Sequence, residues 1–371
     1  MNPPRSNRRD ALRCALTLPW LLAGCGGGGE SEPEVPDRDN PLLPSSGSLT
    51  EQYLATYVGA LPANQPGISV LVVRAGAELY SGSRGMANGL TGTAVTRRTG
   101  FRLASVSKPF TAVAVMQLVE RGQLKLSDSL LDFIPELPAR WHPITIEHLL
   151  THQSGIVDIF NDFWTPAVFA GMTLDGLIPY LTARQPTLEF EPGSRGDYSN
   201  TGYMLLAKII ERRTGRRFGD HMAENVFGPA GMAGSYINDE FQPIKAGDAL
   251  NYADRTTFYG HTTYFKGSMA QVSSTDDFLH FFQAFLSGRL VSSATVAEMA
   301  RRRVTLVGGA NYGYGFGITS YGVNHLGEWD GFCTSISIDI ARRNAWVVLT
   351  NSGSIGMGHV RELERLISVN V

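Results

Sequence analysis

Short runs of β-branched and apolar residues predict strands near the beginning of the chain. The run Gly-Ile-Ser-Val-Leu-Val-Val-Arg at residues 67–74 and the segment at residues 78–82 each have the length and composition of a strand. The turn Ala75-Gly76-Ala77 between them predicts an antiparallel hairpin. Ahead of this hairpin, residues 49–60 predict a short helix.

The end of the chain has a similar pattern. Residues 312–320, 333–340 and 345–350 predict three further strands, and residues 359–367 predict a final helix. The middle of the chain differs, because its periodic segments are helical. Strands at both ends with helices between them predict one sheet assembled from both termini, with a helical subdomain inserted.

The clearest helices of the middle region have recognisable ends. An apolar run at residues 111–120 stops at Gly122, and an amphipathic segment at residues 201–214 stops at Gly215. A third helix is predicted at residues 275–287. The sheet is therefore expected from about residues 49–104 and 300–371, and the helical subdomain from about residues 105–299.

The first residues of the chain predict export. Arg5, Arg8 and Arg9 precede a short apolar segment at residues 15–24, which is too brief to span a bilayer, so residues 1–24 are predicted to be a signal peptide. Leu22-Ala23-Gly24-Cys25 resembles the bacterial lipobox, which implies lipid attachment at Cys25. An ordinary cleaved signal beside an unmodified cysteine is the alternative. Residues 25–48 then form a flexible linker, and residues 49–371 the folded domain.

Composition narrows the function further. The 371 residues are 43% hydrophobic, enough for a large core, and the net charge of -2 excludes the basic surplus of a nucleic-acid-binding protein. Three cysteines cannot form a disulfide framework, and Cys333 is interpreted as a core residue. His148 and His152 have zinc-ligand spacing, but Leu149 replaces the glutamate of H-E-x-x-H, so we expect no metal and no other cofactor.

Ser105 and Lys108 are the first candidates for catalysis. They are three residues apart at the start of the helix at residues 111–120, a spacing that places both side chains on one face. A desolvated lysine can lose its charge and accept the proton of a serine hydroxyl, which makes the serine a nucleophile. Alternatively, Ser105 caps the helix and Lys108 is solvated.

Tyr198 and Asn200 are a second pair of candidates, because they lie next to the helix at residues 201–214. A tyrosine hydroxyl can relay a proton between serine and lysine, and an asparagine amide can bind a substrate carbonyl. The alternative is structural, with Asn200 as a helix cap and Tyr198 as a packed ring.

Three motifs taken together resemble those of the penicillin-recognising serine hydrolases. This family includes class C β-lactamases, D-alanyl-D-alanine carboxypeptidases, D-aminopeptidases and related esterases. Segments similar to other parts of the family, such as residues 149–155 and 228–232, cover most of the chain after the linker. The three motifs are Ser105-Val106-Ser107-Lys108, Tyr198-Ser199-Asn200 and His325-Leu326-Gly327.

The resemblance implies an α+β, β-lactamase-like fold with an antiparallel sheet, and it implies a role for each motif. Ser105 attacks a carbonyl carbon, Lys108 and Tyr198 move the proton, and an acyl-enzyme forms and is hydrolysed. The substrate-binding residues are Asn200, His325, Gly327 and Glu328. Of these, Glu328 contributes a backbone N–H that shares the oxyanion with the N–H of Ser105, and such a donor is typically worth about 3 kcal/mol.

The third motif departs from the Lys-Thr-Gly of β-lactamases. His325 replaces a lysine that attracts a substrate carboxylate, and histidine is mostly neutral at pH 7, so we expect weak or absent β-lactamase activity. The leading hypothesis is a monomeric, lipid-anchored, periplasm-facing hydrolase that cleaves an ester or a D-amino-acid peptide, including peptidoglycan-derived substrates. The alternative is a non-catalytic, lipid-anchored binder or sensor of muropeptides or β-lactams.

Substrate choice is expected to depend on aromatic residues around the cleft. The sequence does not specify how their loops are shaped. These residues are Phe160, Trp164, Tyr259, Tyr264 and Trp329.

Overall fold

The computed structural model describes residues 47–162, 173–241, 243–251 and 265–371. Three antiparallel sheets lie within them, and the largest has eight strands in the order β2-β1-β13-β12-β11-β10-β9-β8. The strands of this sheet are β1 (Ile68–Arg74), β2 (Ala77–Arg84), β8 (Val304–Thr305), β9 (Asn311–Tyr312), β10 (Gly317–Ile318), β11 (Val323–Trp329), β12 (Phe332–Asp339) and β13 (Asn344–Thr350).

The two ends of the chain meet in the middle of this sheet. Strand β1 pairs antiparallel with β13, with Ile68 opposite Thr350. The chain therefore closes its sheet by pairing two strands that are more than two hundred residues apart in sequence. The two smaller sheets are β3–β4 and β5–β7–β6, formed by β3 (Met86–Asn88), β4 (Thr93–Ala94), β5 (Phe101–Arg102), β6 (Tyr236–Ile237) and β7 (Gln271–Ser273).

Helices cover both faces of the large sheet and form most of the central region. The α-helices are α1 (Gly47–Ala60), α2 (Ser107–Glu120), α3 (Ile146–Leu150), α4 (Ile159–Asp162), α5 (Leu174–Arg184), α6 (Asn200–Thr214), α7 (Phe218–Met222), α8 (Gly228–Ala230), α9 (Thr275–Leu286), α10 (Ser293–Met299) and α11 (Ser354–Asn370). Short 3-10 helices occur at Ala104–Val106, Leu130–Asp132 and Ala139–Trp141, and a π-helical turn at Ala223–Phe227.

The strand period of two divides the core into two layers. In β1, Leu71 and Val73 pack with α9 and the central helices, whereas Val70 and Val72 pack with α1 and α11. Both faces of this strand are buried, which explains its continuous apolar run. The terminal helices thus close one side of the sheet, and the central region closes the other.

Helix α2 lies inside the central region. All of its residues from Ser107 to Leu118 are buried, because neighbouring segments surround it on every side. A helix that is apolar around its whole circumference is typical of such a position. Any ionisable side chain on its first turn is consequently removed from water, and Lys108 is in that turn.

Most predicted elements are present, but the third motif lies in a strand that the pattern missed. Residues 312–320 are not one strand: β9 and β10 are separated by a turn in which Gly315 has φ +81°, a conformation that a strand residue does not adopt. Strand β11 (Val323–Trp329) was not predicted, because polar residues and a glycine interrupt its apolar pattern. The central region also contributes two short strands, β6 and β7.

Several predictions fall outside the described residues. These are the signal peptide, the lipid site at Cys25 and nearly all of the linker, of which only residues 47–48 are described, at the start of α1. Trp164, Tyr259 and Tyr264 also lie outside. Among the helices that are described, none combines the length and the hydropathy needed to cross a bilayer.

Glu364 on α11 is expected to make stability depend on pH. Burial against the sheet raises the pKa of its carboxyl from 4.5 to about 7, and Ser337 Oγ lies 3.4 Å from Oε1. A carboxyl whose pKa is higher in the folded state stabilises the fold below its unfolded pKa, and this contribution is lost as the pH rises through 7. Glu364→Gln should therefore lessen the fall in thermal unfolding temperature between pH 5 and pH 8.

Glu362→Gln is the matched control, since this carboxyl lies on the same helix and pairs with Arg365 near the surface. The control should keep the wild-type pH dependence. An unchanged pH dependence in Glu364→Gln would show that the buried carboxyl does not titrate in this range.

Candidate active site

Ser105 lies in the 3-10 turn Ala104–Val106 that leads from β5 into α2. Its side chain is only 6% exposed, and the residue before it, Ala104, has φ +48°. A left-handed conformation at a residue with a Cβ is strained, and such strain is often found at functional sites. The hydroxyl is not a helix cap, because the N-cap of α2 is Val106 and no side chain caps it.

The amine of Lys108 contacts the hydroxyl of Ser105. Its Nζ lies 3.1 Å from Ser105 Oγ and donates to Asn200 Oδ1 at 2.8 Å and to the carbonyl oxygen of Ser268 at 3.2 Å. A neutral amine has two N–H groups and one lone pair. Two of the three contacts are to acceptors, and the third is to a hydroxyl that can donate its hydrogen to a neutral amine.

Burial favours this neutral form of Lys108. The side chain is fully buried, and desolvation lowers its pKa well below 10.5, against a smaller opposing effect from the charge of Asp158. The alternative of a solvated lysine is thus excluded by the structure.

Tyr198 lies beside this pair. Lys108 Nζ is 4.7 Å from the centre of its ring, and the phenol oxygen is buried. Burial raises the pKa of Tyr198 well above 10, and an interaction with the Ser105 hydroxyl offsets part of that rise. The phenol has no hydrogen bond of good geometry within the described residues, as is common for catalytic groups without substrate. The structure therefore brings hydroxyl, amine and neutral phenol into one pocket.

Asn200 is the first residue of α6, and the helix cap is its neighbour Ser199, which accepts the N–H of Gly202. The amide of Asn200 is buried, and its oxygen accepts from Lys108. This arrangement makes Asn200 a part of the pocket wall. A contact with substrate stays a prediction.

His325 in β11 is held as a neutral imidazole. Its Nδ1 lies 2.7 Å from the carbonyl oxygen of Leu326, which can only accept, so this nitrogen carries the hydrogen. Its Nε2 then accepts from the hydroxyl of Tyr312 at 3.0 Å. Burial is the largest cause that lowers the pKa of His325 to about 3. The histidine therefore carries no positive charge at neutral pH.

Gly327 allows β11 to lie directly against the turn that carries Ser105. A Cβ at this position would be 2.3 Å from the carbonyl oxygen of Leu103 and 3.2 Å from the backbone nitrogen of Ser105. Thr334 of β12 strengthens the same junction, because its hydroxyl donates to the Leu103 carbonyl at 2.7 Å. Glu328 follows with an exposed side chain. Its predicted contribution is the backbone N–H.

The family model described as Beta-lactamase matches residues 54–369, nearly the whole described domain. The chain belongs to the beta-lactamase family. Membership of the penicillin-recognising serine hydrolases, predicted from three short motifs, is thereby confirmed.

Relatives of this beta-lactamase family member have different names but similar sequences. Penicillin-binding protein 4* of Bacillus subtilis (strain 168) is 30% identical over 309 residues, covering 76% of this chain and 67% of that protein. Esterase EstB of Burkholderia gladioli is 28% identical, covering 78% of this chain and 87% of that protein. The D-aminopeptidase of Brucella anthropi is 34% identical over 191 residues, and the match spans only 34% of its length. These relatives identify the chain as a serine hydrolase.

Solved structures show the same fold. The D-amino acid amidase from Ochrobactrum anthropi SV3 superimposes with a TM-score of 0.72 at 24% identity, covering 88% of this chain and 99% of that one. The octameric penicillin-binding protein homologue from Pyrococcus abyssi gives 0.69 at 26% identity, covering 82% and 73%. The predicted β-lactamase-like fold class is confirmed.

Three buried polar residues of this beta-lactamase family member were missed from the sequence. His152 has φ +61°, and its ring lies 4.3 Å from that of Tyr198 between ring centres, tilted by 32°. Its Nδ1 accepts the N–H of Ser199 at 3.1 Å. Tyr312 orients His325, and Asp158 contacts Asn200. The sequence did contain a signal for His152, which lies within the family-like segment 149–155, and for Asp158, which follows it closely. It could not show which residues these two side chains contact.

Two further sequence-based expectations concern the aromatic residues of the cleft and the histidines with zinc-ligand spacing. Phe160 lies 4.9 Å from Trp329 between ring centres, so two of the five predicted cleft aromatics are in contact. Among the described residues, no group of histidine, cysteine, aspartate and glutamate side chains could hold a metal ion. His148 instead belongs to the N-terminal capping box of α3, and Cys333 is buried.

Gly327→Ala should damage catalysis more than folding. The added methyl group would meet the Leu103 carbonyl at 2.3 Å, so β11 must move away from the Ser105 turn. Loss of one oxyanion donor typically lowers kcat by about 100-fold to 1000-fold, and we expect a loss of this order in kcat/KM on a short-chain aryl ester.

Gly358→Ala is the control, because a Cβ there meets nothing within 4 Å and the residue lies in α11. It should leave kcat/KM unchanged. Wild-type activity in Gly327→Ala would mean that the close approach of β11 has no catalytic role.

Proposed function

We propose that this serine hydrolase uses Ser105 as nucleophile, Lys108 as base and Tyr198 as proton relay to cleave an ester or a D-amino-acid peptide through an acyl-enzyme. The observation that carries the proposal is the fully buried amine of Lys108, 3.1 Å from the hydroxyl of Ser105. Desolvation lowers the pKa of this amine well below 10.5, which favours the neutral form that can act as a base.

Acylation begins when Lys108 takes the proton of Ser105 and the serine oxygen attacks the substrate carbonyl carbon. Negative charge then develops on the carbonyl oxygen, next to the backbone N–H groups of Ser105 and Glu328 that we propose as donors. The approach of β11 at Gly327 supports this placement. The proton moves from Lys108 through Tyr198 to the leaving group, and the acyl-enzyme forms.

Deacylation uses the same groups in reverse. Tyr198 contacts both the nucleophile and the amine, but its raised pKa keeps the phenol protonated. It therefore passes a proton from the attacking water to neutral Lys108 rather than acting as a phenolate base. The released serine recovers its proton from Lys108.

The lack of charge on His325 affects which substrates the site can attract. An uncharged imidazole whose Nε2 already accepts from Tyr312 gives little attraction for a carboxylate. This supports weak or absent β-lactamase activity and favours a substrate without a carboxylate at that position, such as an ester. The named relatives include both an esterase and a D-aminopeptidase, so both substrate classes belong in the test.

Labelling and turnover of Ser105 variants test the proposal. We expect a fluorophosphonate to add to Ser105 in mass spectrometry, a penicillin to add weakly or not at all, and Ser105→Ala to lower hydrolysis of a short-chain aryl ester by at least 1000-fold. Ser107→Ala removes the other serine of the motif and should still be labelled. The assays also include a D-Ala-D-Ala peptide and a chromogenic cephalosporin.

Two results would contradict the proposal. Hydrolysis that persists in Ser105→Ala would exclude this nucleophile. Absent hydrolysis in the parent protein, with binding of a muropeptide or penicillin that survives Ser105→Ala, would favour the non-catalytic sensor.

We also propose that the domain is anchored to the membrane through an acylated Cys25 and faces the periplasm. The lipobox resemblance supports this, and so does the polar, glycine-rich composition between Cys25 and α1. In a Gram-negative host, a clickable palmitate analogue should label the wild-type protein. Cys25→Ser should lose the label and move to the soluble fraction, whereas Cys14→Ser should keep it. Retained labelling in Cys25→Ser would refute the assignment.

A further inference from the structure

Asp158 is a buried carboxylate directly behind the proposed site. It lies just before α4, and its side chain is only 6% exposed. Its oxygens accept the backbone N–H of Phe160 at 2.8 Å and the backbone N–H of Asn200. A buried carboxylate is costly unless several donors reach it, and here the donors come from the segments that shape the pocket.

Asn200 connects this carboxylate to the catalytic lysine. The backbone N–H of Asn200 donates to Asp158, and its side-chain amide oxygen accepts from Lys108 Nζ. The buried groups thus form one continuous series in the order Ser105, Lys108, Asn200, Asp158.

The other groups around Lys108 carry no formal charge that could compensate a proton on its amine. His152 and His325 are neutral because burial lowers both pKa values. The remaining neighbours are the rings of Tyr198 and Tyr203 and the backbone carbonyl of Ser268. Burial raises the pKa of Asp158, and the hydrogen bonds from the backbone N–H groups of Phe160 and Asn200 oppose that rise by stabilising the carboxylate. The charge of this carboxylate raises the pKa of Lys108.

We propose that Asp158 is a positioning residue of this hydrolase: through Asn200 it holds the Lys108 amine against Ser105, and its negative charge balances the proton that the amine carries during the reaction. The inference rests on the proposed function. When Ser105 attacks, its O–H bond breaks, a new N–H bond forms at Nζ, and the serine oxygen bonds to the carbonyl carbon. The resulting ammonium is buried, and Asp158 supplies the nearby opposite charge.

The pH dependence of kcat/KM distinguishes this role from a merely structural one. The free enzyme must hold Lys108 neutral, so kcat/KM rises with pH through the pKa of this group. Since the Asp158 charge raises that pKa, Asp158→Asn should shift the acidic limb of the profile down by about one pH unit. The plateau of kcat should fall at least tenfold, with KM within about twofold of wild type.

Two further variants make the test specific. Asp158→Glu keeps the charge and should retain the wild-type limb even where kcat falls. Asp158→Ser is small, can still accept a backbone N–H, and should repeat the limb shift if Asp158→Asn does not fold. Glu191→Gln removes an exposed carboxylate from the turn that ends at Ser194, and it should change neither the acidic limb nor the plateau of kcat.

An Asp158→Asn or Asp158→Ser variant that loses activity equally at every pH, with no shift of the limb, would overturn the proposal, and so would one with wild-type kinetics. A wild-type profile that is flat down to the pH of acid unfolding would do the same. Ser105→Ala, assayed in parallel, distinguishes a failure of the proposed function from a failure of this inference alone. Full activity in Ser105→Ala overturns the proposed function. Activity that is lost there but unchanged in the Asp158 variants overturns only this inference.

Discussion

The burial of the Lys108 amine is the constraint on which the rest of the pocket depends. Lysine is almost never fully buried without partners, because water solvates its charged form strongly. In this protein the side chain has no exposed surface, and its nitrogen contacts two acceptors and the Ser105 hydroxyl. The cost of burial is reduced when the amine gives up its proton, and a neutral amine beside a serine is the base that the chemistry needs.

This constraint explains why the pocket lies at the junction of the two parts of the fold. Helix α2 is surrounded by the central region, so its first turn is dry, and α6 enters that region with Asn200 at its start. Strand β11 of the large sheet closes the opposite side at Gly327. The sheet contributes rigid backbone next to the nucleophile, while the helical region contributes the groups that move a proton. Neither part contains the site alone.

The pocket is also nearly free of charge. Its histidines are neutral and its tyrosines keep their protons, because burial disfavours the ionised form of each. In a medium of low polarity one proton transferred to Lys108 changes the local field strongly. The position of the buried Asp158 carboxylate near Lys108 is therefore important, because it supplies a negative charge there. The neutral His325 distinguishes this member of the family from enzymes that have a lysine in the third motif.

The sequence by itself determined the family, the fold class, the hairpin, the main helices and the association of Ser105 with Lys108, because these depend on local spacing and on motifs a few residues long. The tertiary structure alone decided that strand β11 carries the third motif, that Asn200 faces Lys108, and that His152, Asp158 and Tyr312 support the site. Each of these depends on contacts between distant segments: Asp158 reaches Asn200 across 42 residues, and Ser268 reaches Lys108 across 160. Local sequence patterns indicate which side chains could interact. Burial determines whether each of these groups is charged, and it arises only when the two ends of the chain pair in the sheet and the central helices pack against it.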